Sequence, residues 1–484
     1  MWFLDRLGLG SAYHISGAFR LEGRLDVEAL EAALTELDRR HESLRTRFEE
    51  QDGELFQLVD APRPVELQIL DLSSLNSFDQ AQQLQGLIKE ETSRAFDLTS
   101  QRLLRTCLAR LGDEDHILIA TIHHIISDGW SMGVLTRELA ALYDAYSQRH
   151  VSPLPEPELQ YADYALWQRL WLQGETLERQ VAYWRERLSG APTALELPTD
   201  RRRPAMANHR GASIPVVLSK ALSEALAKLG REKGATPFMV LLAAFQAVLS
   251  RWSGQDDVVV GVPITGRTRR QTEDLIGFFV NTLAMRTDLS GDPSFEALLA
   301  RVKNGALEAY AHQDLPFEKL VSELAPARDL GRHPLFQVMF VLQNIPPVRL
   351  ELNGVRLNVL EIESQTAKFD LTLTLSETAQ GLAGSFEYAT DLFDASTIER
   401  LANHLCRALE QVTTQPELKL SQLDLLSTAE RHQLLAELNA TEAPYRDQLC
   451  VHQLFEEQAA ADPDAVALIY EDQSLSYGEL NARA

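Results

Sequence analysis

Residues 121–131 read Thr121-Ile122-His123-His124-Ile125-Ile126-Ser127-Asp128-Gly129-Trp130-Ser131. Just before them, 117–122 is a near-continuous apolar run after the acidic turn 112–115, which predicts a strand buried on both faces. From Trp130 a helix is predicted, with Leu135, Leu139, Leu142 and Tyr146 along one face. Two histidines therefore end a buried strand, and an acid and a glycine precede a helix. Adjacent strand residues point to opposite faces, so His123 and His124 do not converge on one metal ion; one faces a cavity and the other the core. A neutral imidazole suits proton transfer near pH 7 because its ordinary pKa is about 6.5. Gly129 permits backbone geometry that other residues resist. Asp128 either orients an imidazole or pairs with a buried arginine. The plainer alternative is two packed core histidines and a helix cap. A zinc site lacks a third ligand at a usual interval, so no metal is expected. Ser127 as a nucleophile lacks a Gly-x-Ser-x-Gly elbow, and neither a phosphate loop nor a dinucleotide fingerprint occurs.

Outward from this stretch, strand and helix periods alternate in two comparable α/β halves. In the first, 14–21 reads as a strand, Asp26 caps a helix carrying Val27, Leu30, Leu34 and Leu37, and 44–48 and 56–59 read as short strands. Residues 147–160 are polar with three prolines and read as a loop. The second half begins near 195, with a strand at 213–218, a helix at 219–231, Thr236-Pro237 opening an apolar helix to Trp252, and a buried strand at 258–262. Further strands are expected at 336–342, 355–362, 368–377 and 383–388, before a helix capped by Asp394. Residues 413–449 are more polar and read as a linker with one helix at 428–437. A new unit starts near Val451, with a strand at 466–470 and a capping box at Ser476-Tyr477-Gly478-Glu479.

The 46 basic and 70 acidic residues give a net charge of −24. So acidic a surface disfavours nucleic acid and anionic membranes, both polyanions. Cys107, Cys406 and Cys450 have neither metal nor redox spacing, which suits a reducing cytoplasm. Asp5 and Arg6 stand where a signal peptide needs apolar residues. The longest apolar stretch, 237–249, is short of the ~20 residues of a membrane helix.

The central segment matches the His-His-x-x-x-Asp-Gly signature of the condensation domains of nonribosomal peptide synthetases, shared with acyltransferases of the chloramphenicol acetyltransferase fold. Other segments resemble that family's motifs in the expected order. They are Arg40-His41-Glu42-Ser43-Leu44-Arg45-Thr46-Arg47-Phe48, then Tyr161-Ala162-Asp163-Tyr164-Ala165-Leu166-Trp167-Gln168-Arg169, then the run 276–286 from Ile276 to Arg286, then His312-Gln313-Asp314-Leu315-Pro316-Phe317-Glu318 and 328–335. Residues 451–484 look like the opening of an adenylation domain. The chain starts at Met1-Trp2-Phe3-Leu4, without the Ser-x-Ala-Gln-x-Arg stretch usual before that point. Gly331 and His333 stand where the family more often has Ser and Asn.

The resemblance implies two chloramphenicol-acetyltransferase-like lobes, 1–175 and 176–430, forming a V-shaped pseudo-dimer with an active-site tunnel between them. A linker at 431–450 and the truncated adenylation start at 451–484 follow. It implies amide formation between an upstream acyl or peptidyl thioester and a downstream aminoacyl thioester. Both ride on phosphopantetheine arms of carrier domains, with an adenylation domain in cis and no cofactor bound directly. His124 is the implied proton acceptor or positioner, with His123, Asp128 and Gly129 around it. Arg45 and Arg286 are expected as salt-bridge partners of Asp128. Trp130, Ser131, Asn281 and Thr282 are expected along the tunnel. Trp167 and Tyr161 read as core aromatics on a helix, and Phe278, Phe279 and Val280 as strand core. The rivals are epimerisation or heterocyclisation in the same fold, a coenzyme A-dependent acyltransferase, and a non-catalytic carrier-binding platform.

Overall fold

The computed structural model describes residues 2, 10–324, 329, 331–343, 351–360, 362, 366–443, 446 and 448–484. Met1, Phe3 and Leu4 of the opening motif and most of 325–330 lie outside them. The chain divides into two units, Met1–Leu425 and Leu426–Ala484.

The larger unit is built on two six-stranded sheets. The first runs, edge to edge, Glu351–Leu352, Val355–Leu360, His14–Gly23, Asp115–His123, Leu104–Gly112 and Gln68–Asp71. Its central strand Asp115–His123 pairs antiparallel with both neighbours. Its middle, 117–122, is apolar apart from Thr121 because both of its faces are covered. Leu118 and Ile122 face a core shared with helices Val27–Arg40 and Gly129–Ser147. Ile117 and Ile119 face the opposite way, toward Leu84, Leu87 and Ile88 of the helix Ser77–Ser93. The side-chain period of two thus sends successive residues into separate cores. The Asp26 carboxylate accepts from Ala29 N–H and caps its helix as expected.

The second sheet runs Gly211–Ser219, Gly381–Ala389, Leu371–Thr378, Val338–Gln343, Asp257–Ile264 and Asn281–Asp288. Its core helix Pro237–Ser253 starts at a Thr236 cap and is buried from Met239 through Ser250. That burial explains a helix apolar all round. Among the described residues no single helix is long and apolar enough to cross a membrane; the pair Lys220–Lys233 and Pro237–Ser253 passes by length and composition together but is bent by 103°.

Three expectations change. Residues 351–360, assigned with the second lobe, cross over and add two strands to the first sheet, Val355–Leu360 lying against His14–Gly23. The reason is pairing: the open edge of His14–Gly23 needs a partner for its backbone groups. Residues 278–280 are loop, and the strand begins at Asn281. Arg45 lies in a 3-10 turn, Glu42–Arg45, ahead of the strand Thr46–Gln51.

The smaller unit contains a short helix, Thr428–His432, continued by a π turn, Gln433–Glu437. The helix Val451–Ala461, the hairpin Val466–Tyr470 and Gln473–Ser476, and the helix Tyr477–Arg483 follow. The expected capping box is present: Ser476 Oγ accepts from Glu479 N–H, and the Glu479 carboxylate from Ser476 N–H.

Candidate active site

Strand register settles the two histidines. His123 ends its strand opposite His14, and is wholly buried. The rings of His14 and Phe96 meet it edge-on, at 5.9 and 6.0 Å between centroids. Its Nδ1 accepts from Ile125 N–H at 3.1 Å, which places the ring proton on Nε2. Burial, with repulsion from His14 and His124, pushes its pKa down to about 3.

At His124 the chain leaves the strand through one 3-10 turn, His124–Ile126. The ring turns away from the His123 core and is half-buried. Its Nδ1 lies 2.8 Å from the Ser127 carbonyl oxygen. A carbonyl only accepts, so Nδ1 carries the proton and Nε2 the lone pair. The adjacent histidines therefore hold opposite tautomers. Burial, followed by the charge of Lys368, lowers the His124 pKa to about 4, and the ring is neutral at pH 7. The Phe278 ring stands edge-on to it at 5.4 Å.

Asp128 is the N-cap of the helix Gly129–Ser147 and also the clasp between the two sheets' loops. One carboxylate oxygen accepts from Ser131 N–H (2.8 Å), Ser131 Oγ (2.7 Å) and Arg267 Nη2 (3.3 Å). The other accepts from Phe279 N–H at 3.0 Å. Ser131 Oγ also accepts from Gly277 N–H and Arg267 Nη2 and lies 2.9 Å from Gly277 O. The Asp128 and Arg267 side chains are 3% and 2% exposed. Such a pair adds little net stability but fixes the geometry of both loops.

Arg267 is the partner that sequence reasoning missed. Its Nη1 donates to Thr272 and Leu275 carbonyls, and its guanidinium lies 3.9 Å above the Phe279 ring. Neither expected arginine takes that place. Arg45 donates to the Asp38 and Asp60 carbonyls, turned away by its 3-10 turn. Arg286 forks onto Asp257 of the paired strand, two residues from its direct partner Val259, and reaches the Arg187 and Ser189 carbonyls. A sequence signal for Arg267 existed in Gly266-Arg267 just beyond the apolar strand Asp257–Ile264. Gly266 has φ +63°, and a Cβ there would sit 1.9 Å from Phe279 O, so that turn requires glycine.

The expected tunnel residues divide. Ser131 is fully buried in the clasp, because its hydroxyl is committed to Asp128 and the 277 loop. Trp130 Nε1 donates to Glu273 O at 2.8 Å, tying the helix start to the facing loop. Gly129 is exposed at the first helical position. Asn281 donates to the Gln313 and Leu315 carbonyls and accepts from Phe317 and Thr282 N–H, holding the 313–317 turn to the strand. It lines a recess of about 790 Å³, including its open mouth, with Tyr161, Trp167, Phe278, Asp314 and Glu318 among the walls. Thr282 and His124 are not among its lining residues; the Phe278 ring touches both the recess and His124.

Tyr161 does more than fill a core. Its hydroxyl donates to Phe278 O at 2.8 Å, its ring meets Phe279 edge-on, and a Cβ on Gly277 would strike it at 2.2 Å. Behind the site, buried Glu138 accepts from Arg40 Nε and His41 Nε2 at 3.0 and 2.9 Å. Burial would raise the Glu138 carboxyl, but the hydrogen bonds from His41 and Arg40 outweigh it and hold it low. The Arg40-His41 motif thus anchors the helix whose first turn Asp128 caps.

A family model described as Condensation domain matches residues 1–435. One of the linear gramicidin synthase proteins of Brevibacillus parabrevis is 47% identical over all of this chain, and malpinin synthetase of Mortierella alpina 44%. The chain spans only 6% of the length of each. Among solved structures, the X-domain from teicoplanin biosynthesis is 34% identical with TM-score 0.80, covering 86% of this chain and 93% of that one. A four-domain nonribosomal peptide synthetase bound to AMP and glycine shares the fold, with TM-score 0.85 at 24% identity, over 99% of this chain and 37% of that one.

Proposed function

Because the chain belongs to the condensation domain family, which forms amide bonds by acyl transfer, we propose that it joins an upstream acyl or peptidyl thioester to the amine of a downstream aminoacyl thioester. Both substrates are delivered on phosphopantetheine arms of carrier domains, and no cofactor of its own takes part. The observation that carries this reading is the neutral His124 ring, with Nδ1–H committed to Ser127 O and the lone pair left on Nε2.

The chemistry follows from that tautomer. The amine nitrogen adds to the thioester carbonyl, the C–N bond forms and the carbonyl pair moves onto oxygen. A ring with a pKa of about 4 is a poor match for a free ammonium near 8. It is well matched to the far more acidic N–H of the tetrahedral adduct, whose proton passes to Nε2. Collapse restores the carbonyl and expels the carrier thiolate, which takes the proton back from His124. Asp128, saturated by four donors, contributes position. Holding both thioesters beside one ring supplies much of the acceleration.

Residues 451–484 are proposed to open an adenylation domain in cis, with the capping box at Ser476 starting one of its helices. A cytoplasmic setting is supported by three free thiols, Cys107, Cys406 and Cys450, and by the acidic composition. A second reading, a platform for partner proteins, is favoured by the likeness to an X-domain solved in complex with OxyB, 34% identical with TM-score 0.78.

The test is to mix the chain with separately loaded donor and acceptor carriers and follow products by mass spectrometry. Amide transfer onto the acceptor carrier supports condensation. Acylation of free amines from acyl-coenzyme A alone would favour the acyltransferase reading. Loss of α-deuterium from one loaded carrier would favour epimerisation, and carrier binding without turnover would favour the platform.

A further inference from the structure

The helix Tyr161–Trp171 carries Tyr161, Tyr164, Trp167 and Trp171 at spacings of three and four, so the four rings share one face. Tyr161 and Trp167 read as core aromatics in the sequence, yet no residue of this helix is buried. Trp167 and Trp171 stack at 5.3 Å between centroids, and Tyr164 neighbours both Tyr161 and Trp167. With Phe278 and Phe279 of the facing loop, these rings wall the recess of about 790 Å³. Open space of that size between aromatic side chains is typical of a small-ligand pocket. Ring faces attract cations, and two of these rings already carry one: the Arg269 guanidinium lies 4.2 Å over Trp167, and that of Arg267 3.9 Å over Phe279.

Asp314 and Glu318 line the same recess, and neither carboxylate has a hydrogen-bond or ion-pair partner among the described residues. Arg267 is already answered by Asp128, which leaves Arg269, acting on Asp314 only through its field, against two carboxylates. One negative charge is left over, on groups that only accept hydrogen bonds. Burial raises the Asp314 carboxyl, a direction that a bound cation reverses. Phe278 both walls the recess and stands edge-on to His124, so one side chain touches the recess and the candidate proton acceptor.

Resting on the condensation reading, we propose that this recess is a side-chain subsite that takes the cationic side chain, a primary ammonium or a guanidinium, of one of the two thioester-bound residues. The cation meets Asp314 and Glu318, and its alkyl stem lies along the aromatic rings. Asp314, Glu318 and Trp167 then determine specificity and take no part in proton transfer. Such contacts are the same before and during the reaction, so they appear in KM and leave kcat alone.

The experiment loads first the donor carrier and then the acceptor carrier with a lysyl, norleucyl or glutamyl residue, keeps a glycyl load on the other, and follows amide formation by the full chain. In one of the two positions KM for the lysyl load should lie about tenfold below that for norleucyl, with glutamyl the weakest. The position that shows the preference identifies which substrate enters the recess. Asp314→Asn and Glu318→Gln should each cut the lysyl-over-norleucyl ratio by about threefold. Equal KM for lysyl and norleucyl loads in both positions, or a preference untouched by both carboxamide variants, would overturn the proposal. Should Asp314→Asn fail to fold, Glu318→Gln, at an exposed position, decides by the same ratio. The Kd of each loaded carrier, measured without the second carrier, reads the same preference with no turnover. If no load yields amide while the lysyl carrier still binds about tenfold tighter than the norleucyl carrier, the condensation reading alone fails; if it binds no tighter, the subsite fails.

Discussion

His123 and His124 are the same side chain one residue apart, yet one is a structural member and the other is chemically available. His123 sits in the core beside His14 and Phe96, accepting from Ile125 N–H through Nδ1. His124 spends Nδ1–H on Ser127 O and keeps its lone pair on Nε2. The difference comes from the end of a strand: the pleat directs His123 inward, and the 3-10 turn that begins at His124 releases the next ring to the other side. Hydrogen-bond geometry, more than residue type, decides which imidazole can move a proton.

The contrast predicts, first, that His124→Ala lowers amide formation by ~10²–10⁴-fold with loaded carriers, the usual range for a proton-transfer group, while leaving the melting temperature close to that of the parent. Retained turnover would break the contrast. Second, His123 makes stability depend on acid. Its folded pKa of about 3 lies below the unfolded value near 6.5, so the folded state binds fewer protons. The contribution is complete above pH 6.5 and is lost as pH falls from 6.5 toward 3, a range of roughly 4–5 kcal/mol. Urea melts across that window measure it. His123→Asn, which keeps an acceptor for Ile125 N–H and removes the titrating ring, should flatten the curve; an unchanged slope would assign the effect elsewhere. Third, Arg267→Ala leaves Asp128 buried without its cation and should cost about 3–5 kcal/mol. Arg45→Ala, outside the clasp, should leave the Asp128 loop in place, so equal losses of activity from the two variants would contradict the assignment. Last, Tyr161→Phe removes the hydrogen bond to Phe278 O and should cost about 0.5–1.5 kcal/mol by denaturant titration. It sharpens the contrast by loosening the ring that flanks His124 without touching His123.

Much of this was legible along the chain. The run 117–122 followed by two histidines announces a doubly buried strand ending in rings of opposite aspect; alternation foretells that they part, and the 3-10 turn at His124 is what parts them. Asp128 before Gly129 reads as a helix cap, and it is one. The capping box at Ser476 and the Thr236-Pro237 helix start are likewise local, because their hydrogen bonds span three residues. The failures share a different cause. Choosing among arginines for Asp128 needs knowledge of which loop lies across from it, and 139 residues separate Asp128 from Arg267. Phe278 and Phe279 carry a strand-like composition, yet their N–H and C=O groups go to Asp128 and Tyr161 in place of a ladder. Residues 351–360 have an ordinary strand pattern that says nothing about which sheet they will join.

The amino-acid sequence by itself determined the family, the α/β alternation, the strand-turn-helix around His124 and the cap at Asp128, because each depends on periodicity or on neighbours a few residues apart. Only the tertiary structure decided that Arg267 answers Asp128 and that Tyr161 braces the facing loop. Those pairings join positions more than a hundred residues apart, and pattern along a chain carries no distance across it.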